Sequence, residues 1–386
     1  SVHQISVAMA ENNLNRTDNF FTNERGIRLH VRQFHPRHQP STGVFFFYHG
    51  YAAHSNRKAF VKFGEKLVEE SGMSVVLMDH ESHGYSGPEG RLEDVSAMVR
   101  SYQHLVDDCL QLIQLVRCGS EALNRYEEEG VCKLGFSAEQ ADHLASIPFY
   151  ISGQSMGGGI AVMVGLHIQD TLKQLVTSRT ADPGAKATDT TDIASEKTLH
   201  AGVSDVHPPT TTSTQLAHAH VFDGYAGAVF VAPALGVGGR PPYVLELLMT
   251  CVIAKTLPTW SLPTFLDTTA VDSDIWVSEE IAELYSRDPL RFPNPIRWCT
   301  AASIIAMADA ISPRMGDVSY PFLVVHDPED KICQFAKSEE LLQKASTSEH
   351  QKKVHRMVGM RHDIVTNCGE DLAVIIAAWT KELESK

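Results

Sequence analysis

The stretch Phe149-Tyr150-Ile151-Ser152-Gly153-Gln154-Ser155-Met156-Gly157-Gly158 decides the fold. A short apolar run ends in a Gly-x-Ser-x-Gly turn, and Ile160-Ala161-Val162-Met163-Val164 then reads as the start of a helix. That strand–turn–helix context makes Ser155 a candidate nucleophile at the tip of a sharp elbow. The turn forces the serine into a strained backbone conformation. Side chains two residues away on either side would collide with it, hence Gly153 and Gly157. The pentad alone is weak evidence: at ordinary glycine and serine usage it arises by chance in roughly one chain in eight of this length.

A serine hydroxyl needs a histidine base, and the base needs a carboxylate to hold its tautomer and stabilise the imidazolium. In proteins that carry a serine on such an elbow these partners follow in the chain order serine, acid, histidine, each after a strand of the sheet. Phe322-Leu323-Val324-Val325-His326 reads as a buried strand, followed by the polar loop Asp327-Pro328-Glu329-Asp330-Lys331. Lys353-Val354-His355-Arg356-Met357 alternates as a strand does. The loop Gly359-Met360-Arg361-His362-Asp363 then leads into a helix over about Ile364 to Glu384. Asp330 is read as the acid and His362 as the base, with Asp327 and Glu329 as alternatives in the acid loop. His355 reads as structural, and Asp363 as a helix N-cap.

The chemistry also needs two backbone N–H donors aimed at the developing oxyanion, each worth about 3 kcal/mol. Met156, directly after the nucleophile at the helix start, offers one. Val44-Phe45-Phe46-Phe47-Tyr48 reads as another buried strand, ending in His49-Gly50-Tyr51. Gly50 permits the sharp turn that would present the N–H of Tyr51 as the second.

Together these motifs resemble the monoacylglycerol lipases and lysophospholipase-like serine hydrolases of the α/β-hydrolase superfamily. His49-Gly50-Tyr51-Ala52-Ala53-His54-Ser55 is similar to their His-Gly-x-x-x-His-Ser loop. Asp79-His80-Glu81-Ser82-His83-Gly84-Tyr85-Ser86 is similar to their Asp-x-x-Gly-His-Gly-x-Ser turn. The elbow, Asp288-Pro289-Leu290, the His326–Asp330 acid loop and His362-Asp363 complete the likeness, which spans about residues 20 to 385 apart from two insertions. Three departures stand out. Ser82 replaces a glycine, Asp327 replaces the glycine of the acid loop and so stays a rival to Asp330, and Gln154 replaces a histidine without removing a catalytic group.

The resemblance implies an α/β fold: a mostly parallel eight-stranded sheet, helices on both faces and a helical cap inserted before the strand that precedes the acid. It also implies hydrolysis of carboxylic esters of lipids, monoacylglycerol to fatty acid and glycerol, through an acyl-serine intermediate. Lysophospholipase, carboxylesterase and thioesterase activity are the alternatives, with a peptidase or a non-catalytic binding protein more remote.

With 386 residues, 43% hydrophobic and 21% charged, the chain reads as an ordinary globular protein able to bury one large core. A net charge of −14 excludes the phosphate neutralisation on which nucleic-acid affinity rests. Seven cysteines, an odd number without Cys-x-x-Cys pairs, read as reduced thiols of a cytoplasmic protein. The 19 histidines show no metal-binding spacing, so neither metal nor cofactor is expected. Residues 1–19 are polar and lack the apolar core of a secretory signal. The chain begins with Ser1 rather than Met, which leaves room for an upstream segment. No run reaches the ~20 apolar residues of a membrane span.

The hydrolase core is placed at 20–234 and 313–386. Within it, 118–146 reads as a surface insertion with some helix, and the Thr-, Ala-, Asp- and His-rich 171–220 as largely disordered. A long helix is expected from about Leu92 to Val116. Residues 235–312 are too long for a simple connection and read as the cap. Its apolar residues, among them Leu248, Val252, Trp260, Leu262, Phe265 and Leu266, would line an acyl-chain tunnel next to His49 and Gly50 and support peripheral membrane contact. Twelve buried methylenes would contribute roughly 10 kcal/mol before ordering costs, which favours a lipid ester over a small polar one.

Overall fold

The computed structural model describes residues 14–87, 96–181, 219–236, 243–263 and 272–385. Its framework is a nine-stranded sheet: β1 (Leu14–Thr22), β2 (Arg28–Pro36), β3 (Val44–Tyr48), β4 (Ser74–Met78), β5 (Cys132–Lys133), β6 (Phe149–Gln154), β7 (Tyr225–Val231), β8 (Phe322–His326) and β9 (Lys352–Arg356). The order across the sheet is β5-β1-β2-β4-β3-β6-β7-β8-β9. From β4 to β9 every neighbouring pair is parallel, while β2 joins β4, and β1 joins β2 and β5, antiparallel. The ninth strand is β5, two residues contributed by the 118–146 insertion, where a sheet of eight was expected.

The central strands are continuous apolar runs because both faces are covered. On β3, Val44, Phe46 and Tyr48 enter one core and Phe45 and Phe47 the other. On β8, Phe322 and Val324 separate in the same way from Leu323 and Val325. Two helices, α1 (Lys58–Ser71) and α11 (Ile364–Glu384), supply the second core with Phe60, Phe63, Leu67, Ile376 and Trp379. The first core is closed by α2 (Tyr102–Arg117), α3 (Ser120–Glu128), α4 (Ala138–Ser146) and α5 (Met156–Ala181).

Two boundaries differ from expectation. Helix α2 begins at Tyr102, capped by Ser101, rather than near Leu92. Just before it, Ala97, Met98 and Val99 are buried in non-helical chain, and Val99 N–H donates to Thr300 Oγ1 at 2.9 Å. Apolar spacing there reports burial without a helix. Helix α5 carries on through Ala181, into the segment read as disordered. The remainder of that expectation, 182–218, lies outside the described residues. The 118–146 insertion contains the expected helices, but its Leu123, Leu134, Ala141 and Leu144 are core residues.

Between β7 and β8 lie α6 (Tyr243–Leu248), continued by a π-helical turn Met249–Ile253 and Ala254–Thr256, then α7 (Asp272–Ile275), α8 (Glu279–Ser286) and α9 (Trp298–Ile311). A separate apolar cluster of Met98, Ala254, Leu262, Ile296, Trp298 and Cys299 holds this segment together. The far end of α9 belongs to the body, since Met307 and Ile311 pack into the first core. After β8 comes α10 (Phe335–Lys344).

Candidate active site

Ser155 sits between the end of β6 and the start of α5 with a positive φ of 56°. That left-handed geometry is unfavourable for a residue with a side chain. It is held by three backbone bonds: Ser155 N–H to Val231 O at 2.9 Å, and Ser155 O from Gly159 N–H at 3.1 Å and Ala234 N–H at 2.9 Å. The flanking glycines do a different job from the one expected. A Cβ on Gly153 would lie 2.2 Å from Gly157 O, and one on Gly157 would lie 2.1 Å from Tyr48 O. They let α5 and β3 close on the elbow, rather than clearing space around the serine itself.

Ser155 Oγ lies 2.8 Å from His362 Nε2, and His362 Nδ1 lies 2.7 Å from Asp330 Oδ2. Three side chains distant in sequence thus form one hydrogen-bonded line across the C-terminal ends of β6, β8 and β9. Asp330 Oδ1 accepts from the N–H groups of Ile332 and Cys333 at 2.7 and 3.1 Å. Burial would raise its carboxyl pKa, but the bonds from His326, His362 and Ile332 N–H outweigh that and hold it well below the usual range. The carboxylate is therefore ionised, as required of a group that stabilises an imidazolium.

The rival acid has another task. Asp327 is buried, with Oδ1 accepting from Glu329 N–H at 3.0 Å and Oδ2 from Arg361 N–H at 2.6 Å. Arg361 has a positive φ of 58°, so Asp327 ties down the strained residue just before His362. Asp363 caps α11 by accepting from Thr366 N–H at 3.2 Å. It also accepts from Gln154 Nε2 at 2.7 Å, and Gln154 Oε1 accepts from Val365 N–H at 2.8 Å. Gln154, read as a replacement that removes no catalytic group, also bolts the position before Ser155 to the helix after His362.

On the oxyanion side, a Cβ on Gly50 would come within 3.2 Å of Ser155 Cβ, which sets the Gly50–Tyr51 turn beside the nucleophile. Met156 opens α5, where the first N–H groups have no partner inside the helix. His49 requires correction as a substrate contact. Its ring is buried, with Nδ1 donating to Gly50 O at 2.8 Å and Nε2 accepting from His80 N–H at 3.0 Å. Burial and the neighbouring His80 and His83 keep it well below the usual imidazole range, so it braces the turn as a neutral ring.

Beneath that turn, Asp79 is buried and gathers Ser55 N–H at 2.6 Å, Tyr85 N–H at 2.9 Å and His30 Nδ1 at 3.0 Å. Burial opposes its ionisation, yet the His30 bond and the Ser55 N–H hold it far below the carboxylate range. Ser82, where the resembling family carries glycine, keeps the glycine-like backbone with φ of 65°.

The segment between β7 and β8 reaches the site through contacts the sequence did not reveal. Arg361 Nη1 donates to the carbonyls of Ser273 and Trp276, and Lys331 Nζ pairs with Asp274 Oδ1 at 2.7 Å. His54 Nε2 meets Asp288 Oδ2 at 2.7 Å, and Tyr285 Oη donates to Ala52 O at 3.2 Å. Of the expected acyl-contact residues, Leu262 is spent on the apolar cluster, whereas Leu248 and Val252 are 46% and 48% exposed. Trp260 is also exposed, and Phe265 and Leu266 lie outside the described residues. Among the described residues no group of three His, Cys, Asp or Glu could hold a metal, and no helix is long and apolar enough to cross a membrane.

A parallel sheet with a serine elbow, a histidine and an ionised aspartate at its strand ends is the arrangement of an α/β-hydrolase, and the protein is an ester-cleaving serine hydrolase of lipase-like type. More particularly, the chain belongs to the family described as serine aminopeptidase, S33, whose model matches residues 39–126 and 210–368. It is 24% identical over 352 residues to a monoacylglycerol lipase of Mycolicibacterium smegmatis, covering 90% of this chain and 91% of that one. The fold is similar to the crystal structure of a Paleococcus ferrophilus monoacylglycerol lipase, with TM-score 0.58 and 17% identity over 92% of this chain and 99% of that one. It is also similar to a thermostable carboxyl esterase of Bacillus coagulans, with TM-score 0.60 and 16% identity over 96% and 98%.

Proposed function

We propose that this protein hydrolyses monoacylglycerols to fatty acid and glycerol. The observation that carries the reading is the line from Ser155 Oγ through His362 to Asp330, at 2.8 and 2.7 Å. His362 Nε2 takes the proton of Ser155 as Oγ attacks the ester carbonyl, while Asp330 stabilises the imidazolium. The N–H groups of Tyr51 and Met156 receive the oxyanion. His362 then protonates the leaving glycerol oxygen, and the acyl group stays on Ser155. Water, deprotonated by His362, attacks the acyl-serine and releases the fatty acid.

A lipid substrate is favoured by the exposed apolar residues Leu247, Leu248, Val252, Leu257 and Trp260 between β7 and β8, and by the named activity of the mycobacterial relative. Those residues supply the acyl-chain contact and touch a lipid surface. The test is a panel of purified substrates: monoacylglycerols from acetyl to oleoyl, lysophospholipids, short nitrophenyl esters and aminoacyl anilides. Monoacylglycerols of medium to long chain should give the highest kcat/KM. A preference for short esters would make the protein a carboxylesterase, and cleavage of the anilides alone would make it a peptidase.

A further inference from the structure

Asp330 holds two imidazoles on one oxygen. Its Oδ2 receives His362 Nδ1 at 2.7 Å and His326 Nε2 at 3.1 Å. His326 Nε2 also faces Cys333 O at 3.0 Å. Both neighbours of that nitrogen only accept, so it must carry a proton. Nδ1 lies 2.9 Å from Ser338 Oγ on α10, and both His326 and Ser338 are fully buried. The tautomer and orientation of His326 are thus fixed from outside the serine–histidine–aspartate line.

We propose that His326 is a positioning residue that acts on His362 through Asp330: its N–H locks the carboxylate and draws off part of the charge that Oδ2 presents to His362 Nδ1. This rests on the roles given above to Ser155, His362 and Asp330. A carboxylate oxygen shared by two donors stabilises an imidazolium less than one serving a single donor. With Oδ1 held by Ile332 and Cys333 N–H, the carboxylate cannot rotate to shed either ring. The other charged groups nearby are engaged elsewhere: Asp327 with Arg361 N–H, Lys331 with Asp274, Asp363 with Gln154, and Arg356, the β9 neighbour of His326, with Glu339. The Cys333 thiol is raised by burial and the Asp330 charge, and so stays neutral.

The test is the pH profile of kcat/KM on a short nitrophenyl ester, after a fluorophosphonate probe has counted active sites. In His326→Leu the acid limb should move up by about one pH unit. In His326→Gln, whose amide N–H can reach the same oxygen, it should return toward the parent. Ser338→Ala, which removes the hold on the tautomer, should move it by less than the leucine change. An unmoved limb in folded His326→Leu overturns the proposal, as does a glutamine variant displaced as far as the leucine one. If the leucine variant does not fold, an unmoved limb in Ser338→Ala overturns it. A parent that the probe fails to label at Ser155 brings down the underlying reading of the site, whereas a labelled parent with unmoved limbs brings down the role of His326 alone.

Discussion

The loops at the strand ends and the segment between β7 and β8 are built on different terms. At the strand ends, Asp79, Asp327, Asp330 and Asp363 are buried, and each spends its oxygens on two or more N–H donors. In the segment between β7 and β8, five buried apolar residues form a cluster with Met98 while Leu247, Leu248, Val252, Leu257 and Trp260 stay exposed. The difference teaches where each property is written. Reaction geometry needs fixed distances, and buried multi-donor carboxylates give them because leaving one unpaired is costly. Contact with an acyl chain needs only apolar area, which tolerates sliding.

The largest test of that division is Ser155→Ala, which should lower ester turnover about a million-fold with the melting temperature near that of the parent. Residual turnover close to the parent's would move the chemistry away from the elbow. Next, Asp330→Asn should cost about ten-thousand-fold in kcat/KM, because the amide cannot hold the histidine tautomer. Asp327→Asn should cost about tenfold, through the loosened Arg361 N–H. The reverse ranking would hand the acid role to Asp327.

Acid sensitivity separates the two regions by stability. Asp79 and Asp330 both have depressed folded-state pKa values. Their contribution is full above the unfolded value of about 3.9 and is lost as pH falls below it. Asp79→Asn should cost about 2 to 3 kcal/mol at neutral pH and flatten the fall in melting temperature below about pH 4. An unchanged acid slope would show that Asp79 is not the acid-labile tie. The smallest expected effect is in the upper segment. Leu248→Ser with Val252→Ser should lower kcat/KM for a dodecanoyl ester about three- to tenfold and leave the acetyl ester unchanged. An equal loss on both esters would mean that these residues serve the fold rather than the chain.

Much of the site was legible because its signals are local. The elbow, the His-Gly turn and the polar loops after two strands are short patterns, and they pointed to Ser155, to His362 and to the loop that holds Asp330, with Asp327 and Glu329 as rivals in it. Less local features were missed. Gln154 looked like a neutral replacement, because nothing near position 154 announces Asp363 and Val365 across the site. His49 looked available to substrate, because His80 N–H reaches its Nε2 only once β3 and β4 lie side by side. Residues 96–101 read as part of a helix beginning near Leu92, since apolar spacing does not distinguish a buried extended loop from a buried helix turn.

By itself the sequence determined the central strands, the elbow at Ser155 and the polar loops that carry Asp330 and His362, since backbone sterics and the spacing of apolar residues act over a few neighbours. Only the tertiary structure decided which carboxylate in the 327–330 loop faces His362, that a second imidazole shares its oxygen, and that the segment between β7 and β8 holds Lys331 and Arg361 through Asp274, Ser273 and Trp276. A hydrogen bond depends on position to within a few tenths of an ångström, and positions so far apart in the chain acquire that accuracy only when the sheet assembles them.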